Sequence, residues 1–140
     1  MDKMIQLDLE SPQLGLLSSD RYYNKPFIVF NSASFCGYTG QLQLFEDLYR
    51  TGAVVPIALP TNEFGAQEPG DDYEISQFYK SKFNITFPIC KKSTLDHIIF
   101  SKFGRPDWNF NKYLFDKNHD FVKKFGKSVD PKKVLEALSE

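Results

Sequence analysis

The stretch FIVFNSASFCGYTGQLQLFEDLY, residues 27–49, decides the architecture. Phe27 to Phe30 form a continuous run of aromatic and β-branched side chains behind Lys25-Pro26, which reads as a strand buried on both faces. The run ends at Asn31-Ser32-Ala33-Ser34. Thr39 can then cap a helix that carries Leu42, Phe45, Leu48 and Tyr49 on one side, with Gly52 placed to stop it. The segment therefore reads strand, loop, amphipathic helix, with Cys36 in the loop.

Working outward, Val54–Leu59 is a second buried run, although Pro56 removes a ladder donor and argues against a fully central strand. Asp71 followed by Glu74 is a capping signature for a second helix with Ile75, Phe78, Tyr79 and Phe83 on one stripe. Ile85–Ile89 reads as a short strand, and Leu95–Phe103 as a short helix ended by Gly104 and Pro106. Asn111–Phe115 and Phe121–Phe125 flank a turn-rich segment and should pair as an antiparallel hairpin. Asp130 and Pro131 start a last helix that turns Val134, Leu135 and Leu138 inward. This alternation followed by a hairpin and helix is what a thioredoxin-like α/β fold requires, with a central mixed sheet flanked by helices.

The chain has 140 residues, 17 basic and 18 acidic side chains, 41% hydrophobic and 25% charged content. That composition fits one compact domain, residues 1–140, and not wholesale disorder. A net charge of -1 gives no footprint for nucleic acid. The charge is uneven: residues 1–90 carry 6 basic and 11 acidic groups, residues 91–140 carry 11 and 7. The basic cluster of Lys123, Lys124, Lys127, Lys132 and Lys133 is either a solvated polar face or an anion-attracting rim. No apolar run reaches the roughly 18–20 residues of a membrane span. The acidic, alternating start of the chain is unlike a signal peptide, so a cytoplasmic protein is expected. Cys36 and Cys90 are too few for a disulfide scaffold and too far apart for CxxC chemistry. With only His97 and His119 beside them, no metal site is expected.

Cys36 lies between a buried strand and a helix start, where unpaired amides favour negative charge, so its thiol should ionise below the free value of about 8.5. The other reading is a small buried hydrophobe. Thr39 stands where a CxxC motif has its second cysteine, which leaves a single thiolate able to attack a peroxide O–O bond, form a sulfenic acid and be reduced by an external thiol.

Three blocks, FNSASFCGYTGQLQLFEDLY (30–49), LPTNEFGAQEPG (59–70) and WNFNKYLFDKN (108–118), resemble the signature blocks of the glutathione peroxidase family, in order and at compatible separations. The family places Sec or Cys before Gly-[Lys/Tyr]-Thr, which matches Cys36 before Gly37-Tyr38-Thr39. The resemblance implies a cysteine-type member in which Cys36, Gln67, Trp108 and Asn109 are the catalytic positions. It also implies no bound cofactor, with glutathione or thioredoxin as co-substrate and a peroxide as substrate. On residue type alone Trp108 could be core, Gln67 a turn residue and Asn109 a strand-entry cap. As chemistry, two neutral amides and an indole N–H can brace a thiolate without quenching it.

The chain also departs from the family. Lys80 stands where thioredoxin-using members carry a resolving cysteine, and Glu63 brings a carboxylate near the site that opposes thiolate formation if it points inward. Only 15 residues separate Lys92 from Trp108, a trimmed segment that favours access to bulkier hydroperoxides and a monomer. The expected function is a thiol-dependent peroxidase that reduces hydrogen peroxide and organic hydroperoxides through Cys36, with glutathione or another small thiol as reductant. The alternatives are a thioredoxin-dependent peroxidase resolved by Cys90, and a redox sensor that passes oxidation to a partner protein.

Overall fold

Phe27–Phe30 forms a strand with all four side chains buried, as its unbroken apolar run requires, and in the computed structural model, which describes residues 2–140, it lies inside a four-stranded sheet. Numbered from the N-terminus, the strands are β1 (Glu10–Ser11), β2 (Gly15–Leu16), β3 (Phe27–Phe30), β4 (Val55–Ala58), β5 (Lys112–Phe115) and β6 (Phe121–Phe125). The helices are α1 (Gln41–Thr51), α2 (Asp72–Phe83), α3 (Ile98–Phe103) and α4 (Pro131–Val134). The main sheet has the order β4-β3-β5-β6. β3 and β4 are parallel, with α1 as their crossover, whereas β5 runs antiparallel to both β3 and β6. β1 and β2 form a separate small hairpin near the N-terminus.

Alternate side chains of β3 feed two apolar layers. Ile28 and Phe30 join Leu42 and Phe45 of α1, Ile75 and Tyr79 of α2, Leu114 of β5 and Val134 of α4. Phe27 and Val29 join Leu7, Leu9 and Leu17 of the N-terminal segment, Ile99 and Phe100 of α3, and Phe115 of β5. Stacking of Phe30 on Phe45 at 3.9 Å and of Phe27 on Phe115 at 4.4 Å places one aromatic pair in each layer.

Several local expectations change. Ile85–Ile89 is not a strand: only Ile89 bridges Ala58, with the Cys90 amide donating to Ala58 O at 2.8 Å. Pro88 has no amide to offer, and the Thr86 amide donates to the Glu46 carboxylate at 2.7 Å instead of a ladder carbonyl. β4 is therefore the edge of the sheet, the position at which Pro56 is tolerated. The helix expected from Leu95 begins only at Ile98, where the His97 ring accepts the Ile99 amide at 3.1 Å. After α4 the chain tightens into a 3-10 turn, Leu135–Ser139, and this rotation leaves Leu138 exposed and not inward. The Asp71–Glu74 capping box forms with both of its reciprocal bonds. Among the described residues no helix is long and apolar enough to cross a membrane.

Candidate active site

Cys36 sits in the loop that leaves β3 and is buried, with 9% of its surface open. α1 starts five residues later, at Gln41, with Gly40 at its cap and no capping side chain. Thr39 does not cap the helix because its hydroxyl is engaged within the loop. It accepts the Cys36 amide at 3.0 Å and donates to Ala33 O at 2.8 Å. The sulfur itself receives the Tyr38 amide, with N to Sγ 3.4 Å. A turn amide, and not the helix terminus, is thus the backbone donor facing the thiol.

Gln67 projects from the loop between β4 and α2. Gly65 and Ala66, which precede it, both hold left-handed backbone, φ +66° and +51°. For Ala66 that conformation is strained, the kind of local strain that persists where the surroundings fix it. Asn109 Nδ2 donates to Gln67 Oε1 at 3.1 Å and reaches Phe64 O at 3.5 Å. The half-buried Trp108 packs on Phe64, with ring centroids 5.6 Å apart. A further strained residue, Phe110 at φ +63°, follows Asn109 and buries its ring in the layer below.

Asn31 fixes this second turn to the end of β3. Its Oδ1 accepts the Asn111 amide at 2.9 Å, its Nδ2 donates to Trp108 O at 2.8 Å, and its carbonyl accepts the Phe110 amide at 2.6 Å. The Phe35 amide in turn donates to Gln67 O at 3.0 Å. The structure therefore brings Gln67, Trp108 and Asn109 together and ties them to the residue before Cys36. Among the described residues, Gln67 Nε2 and Trp108 Nε1 have no protein partner and stay free to donate.

Glu68 was not singled out by sequence reasoning. Its carboxyl is buried, accepting Ser34 Oγ and, at 2.5 Å, the Tyr79 hydroxyl, which also lies 2.8 Å from Ser32 Oγ. Burial pushes this carboxyl above the ordinary range, against the lowering effect of the Ser34 and Tyr79 hydrogen bonds and of Lys92. Burial and the Glu68 charge likewise raise the Tyr79 phenol well above its ordinary value. Glu63, by contrast, is exposed, so the carboxylate enclosed beneath the site belongs to Glu68.

A sequence model described as Glutathione peroxidase matches residues 6–97, a span that holds Cys36 and Gln67. Glutathione peroxidase-like peroxiredoxin 2 of Saccharomyces cerevisiae is 34% identical over 130 residues, covering 80% of each chain. This chain belongs to the glutathione peroxidase family. Glutathione peroxidase homolog BsaA of Halalkalibacterium halodurans is 31% identical over 135 residues, covering 85% of this chain and 86% of the relative. T. cruzi GPX1 superimposes with a TM-score of 0.69 at 18% identity, over 97% of this chain and 94% of that one. A thioredoxin-like protein from Aeropyrum pernix gives 0.71 at 12% identity, over 94% and 86%. These two likenesses establish the thioredoxin-like fold.

As a glutathione peroxidase family member the chain is a thiol-dependent peroxidase, an oxidoreductase acting on peroxide. Within that family pattern, Lys80 is exposed on α2 and supplies no thiol. Cys90, the second free cysteine, belongs to the layer of Phe27 and Val29, whereas Cys36 belongs to the layer of Ile28 and Phe30. The two sulfurs are thus on opposite sides of the sheet. Burial, with a smaller contribution from Glu10, pushes the Cys90 thiol far above its ordinary value, so it is a poor nucleophile where it stands.

Proposed function

We propose that Cys36 is the peroxidatic nucleophile of a one-cysteine cycle in which glutathione or another small thiol is the reductant. The observation that carries this reading is the convergence of Gln67, Trp108 and Asn109 beside the Cys36 loop, with Cys90 in the opposite layer. The Cys36 thiolate attacks one peroxide oxygen; an S–O bond forms as the O–O bond breaks, and the leaving oxygen takes a proton to become water or an alcohol. Gln67 Nε2 and Trp108 Nε1 supply hydrogen-bond donors for the negative charge that develops on that oxygen. Asn109 holds Gln67 by its carbonyl, so that the amide hydrogens face away from Asn109. A glutathione thiolate then displaces hydroxide from the sulfenic acid, forming a mixed disulfide, and a second glutathione releases glutathione disulfide and the Cys36 thiolate.

Two cysteines are too few for a disulfide framework, which accords with a reducing compartment, and we assign the enzyme to the cytoplasm and, from the trimmed segment between Lys92 and Trp108, to the monomeric state. The test follows peroxide consumption with glutathione and with thioredoxin on wild type, Cys36→Ser and Cys90→Ser. Turnover with glutathione should vanish in Cys36→Ser and persist in Cys90→Ser. Loss of both an intramolecular disulfide and thioredoxin-coupled turnover in Cys90→Ser would replace this cycle with a resolved one. Fast single-turnover oxidation of Cys36 without cycling on any small thiol would make the chain a relay.

A further inference from the structure

We propose that Glu68 is a positioning residue for the peroxide step, its buried carboxyl locking the Cys36 loop against the loop that presents Gln67. The inference rests on the roles proposed for Cys36 and Gln67. Every polar atom of Glu68 is engaged. Its amide donates to Asn62 Oδ1 at 2.9 Å and its carbonyl accepts Lys92 Nζ at 3.2 Å, which fixes the backbone beside Gln67. One carboxyl oxygen accepts Ser34 Oγ, two residues before Cys36, and the other accepts the hydroxyl of Tyr79 on α2. Tyr79 reaches onward to Ser32, so both serines of the Cys36 loop hang on one buried chain of hydrogen bonds.

A carboxyl group enclosed this way is a costly means of filling space, because an apolar side chain would pack without desolvation. What it supplies is direction: two bonds at fixed angles add a side-chain link between segments that the backbone joins through the Phe35 amide and Gln67 O and through the Thr61 amide and Ser32 O. A displacement of about 1 Å at a reacting centre costs on the order of a hundredfold in rate, so a clamp at this point bears on the chemistry.

The experiment uses full-length protein in a Cys90→Ser background. It measures the second-order rate constant for oxidation of Cys36 by hydrogen peroxide, the rate of Cys36 alkylation by iodoacetamide, and the thermal melt. Glu68→Ala and Ser34→Ala should slow oxidation about tenfold to a hundredfold while alkylation, which needs a reachable, ionised sulfur but no oriented peroxide, changes less than about twofold. Glu68→Gln, which can still accept from Ser34 and bond Tyr79, should restore most of the oxidation rate. Wild-type oxidation in both alanine variants, or oxidation and alkylation falling together with the melt, overturns the proposal. If Glu68→Ala does not fold, Ser34→Ala and Tyr79→Phe each remove one bond and decide by the same criteria. Cys36→Ser and Gln67→Ala run in parallel test the underlying site: unchanged peroxide reduction there would refute the site reading itself, independently of Glu68.

Discussion

A single hydrogen in place of a methyl group at position 65 sets the spacing between Trp108 and Gln67. A Cβ on Gly65 would lie 3.2 Å from the Trp108 ring and 3.4 Å from Gln67 Cγ and Nε2, at a φ of +66° that side chains disfavour. Gly65→Ala should therefore lower kcat/KM for peroxide by about tenfold or more while α2 and the sheet persist, read by steady-state kinetics beside far-UV circular dichroism. Asn109 makes a second residue-scale prediction. Its Oδ1 is buried without a partner. Asn109→Asp would bury a charge there and release Gln67, so both melting temperature and turnover should fall. The candidate positions Cys36, Gln67, Trp108 and Asn109 could be picked out from their blocks of sequence, and the structure gathers the last three. Glu68 was not: Ser34 and Tyr79, its partners, stand 34 and 11 residues away, and no local pattern marks a carboxyl whose hydrogen bonds are all long-range.

Among the elements, the segment after α2 shows how a side chain can replace a strand. The Glu46 carboxylate on α1 takes the Thr86 amide and hydroxyl at 2.7 and 2.6 Å and Arg50 Nε at 2.8 Å. Although burial acts to raise it, these hydrogen bonds from Thr86 and Arg50 hold its carboxyl below the ordinary range. Glu46→Ala should cost about 2 kcal/mol, since it removes the charge-assisted hydrogen bonds that Thr86 and Arg50 give to the buried carboxylate; urea unfolding measures it. The apolar run at Ile85–Ile89 suggested a strand because apolar runs do not reveal where their amides bond. Elements with self-contained signals were readable: the Asp71–Glu74 box, the Gly52 stop and the hairpin around residues 116–120. Thr39 misled because a threonine before a helix can bond backward into the loop as readily as forward into the helix.

Across the molecule, Lys112 on β5 is buried, and its Nζ donates to Gly126 O at 3.2 Å and Lys127 O at 2.9 Å, with no carboxylate in contact among the described residues. Burial lowers its pKa from 10.5 to about 7, with Asp130 opposing in part. Between those values the unfolded chain holds a proton that the native state has released, so stability should rise with pH from about 7 toward 10.5. Lys112→Met should flatten that slope in unfolding curves measured across the same range. The five lysines of the basic third differ in their surroundings. Lys123, Lys132 and Lys133 are exposed, Lys124 lies along Gly104, and Lys127 faces Asp107 at 3.9 Å.

Partition of the two sulfurs between opposite layers has a consequence for survival under stress. In the cycle proposed above, with Cys90 in the opposite layer, an oxidised Cys36 waits on outside reductant, and a second peroxide that arrives first carries it to the sulfinic state, from which small thiols do not recover it. The enzyme's working lifetime is then set by the ratio of peroxide to free thiol around it. On the proposed one-cysteine cycle it is expected to act as a fuse, protective while the thiol supply lasts and permanently silent once a burst outruns it.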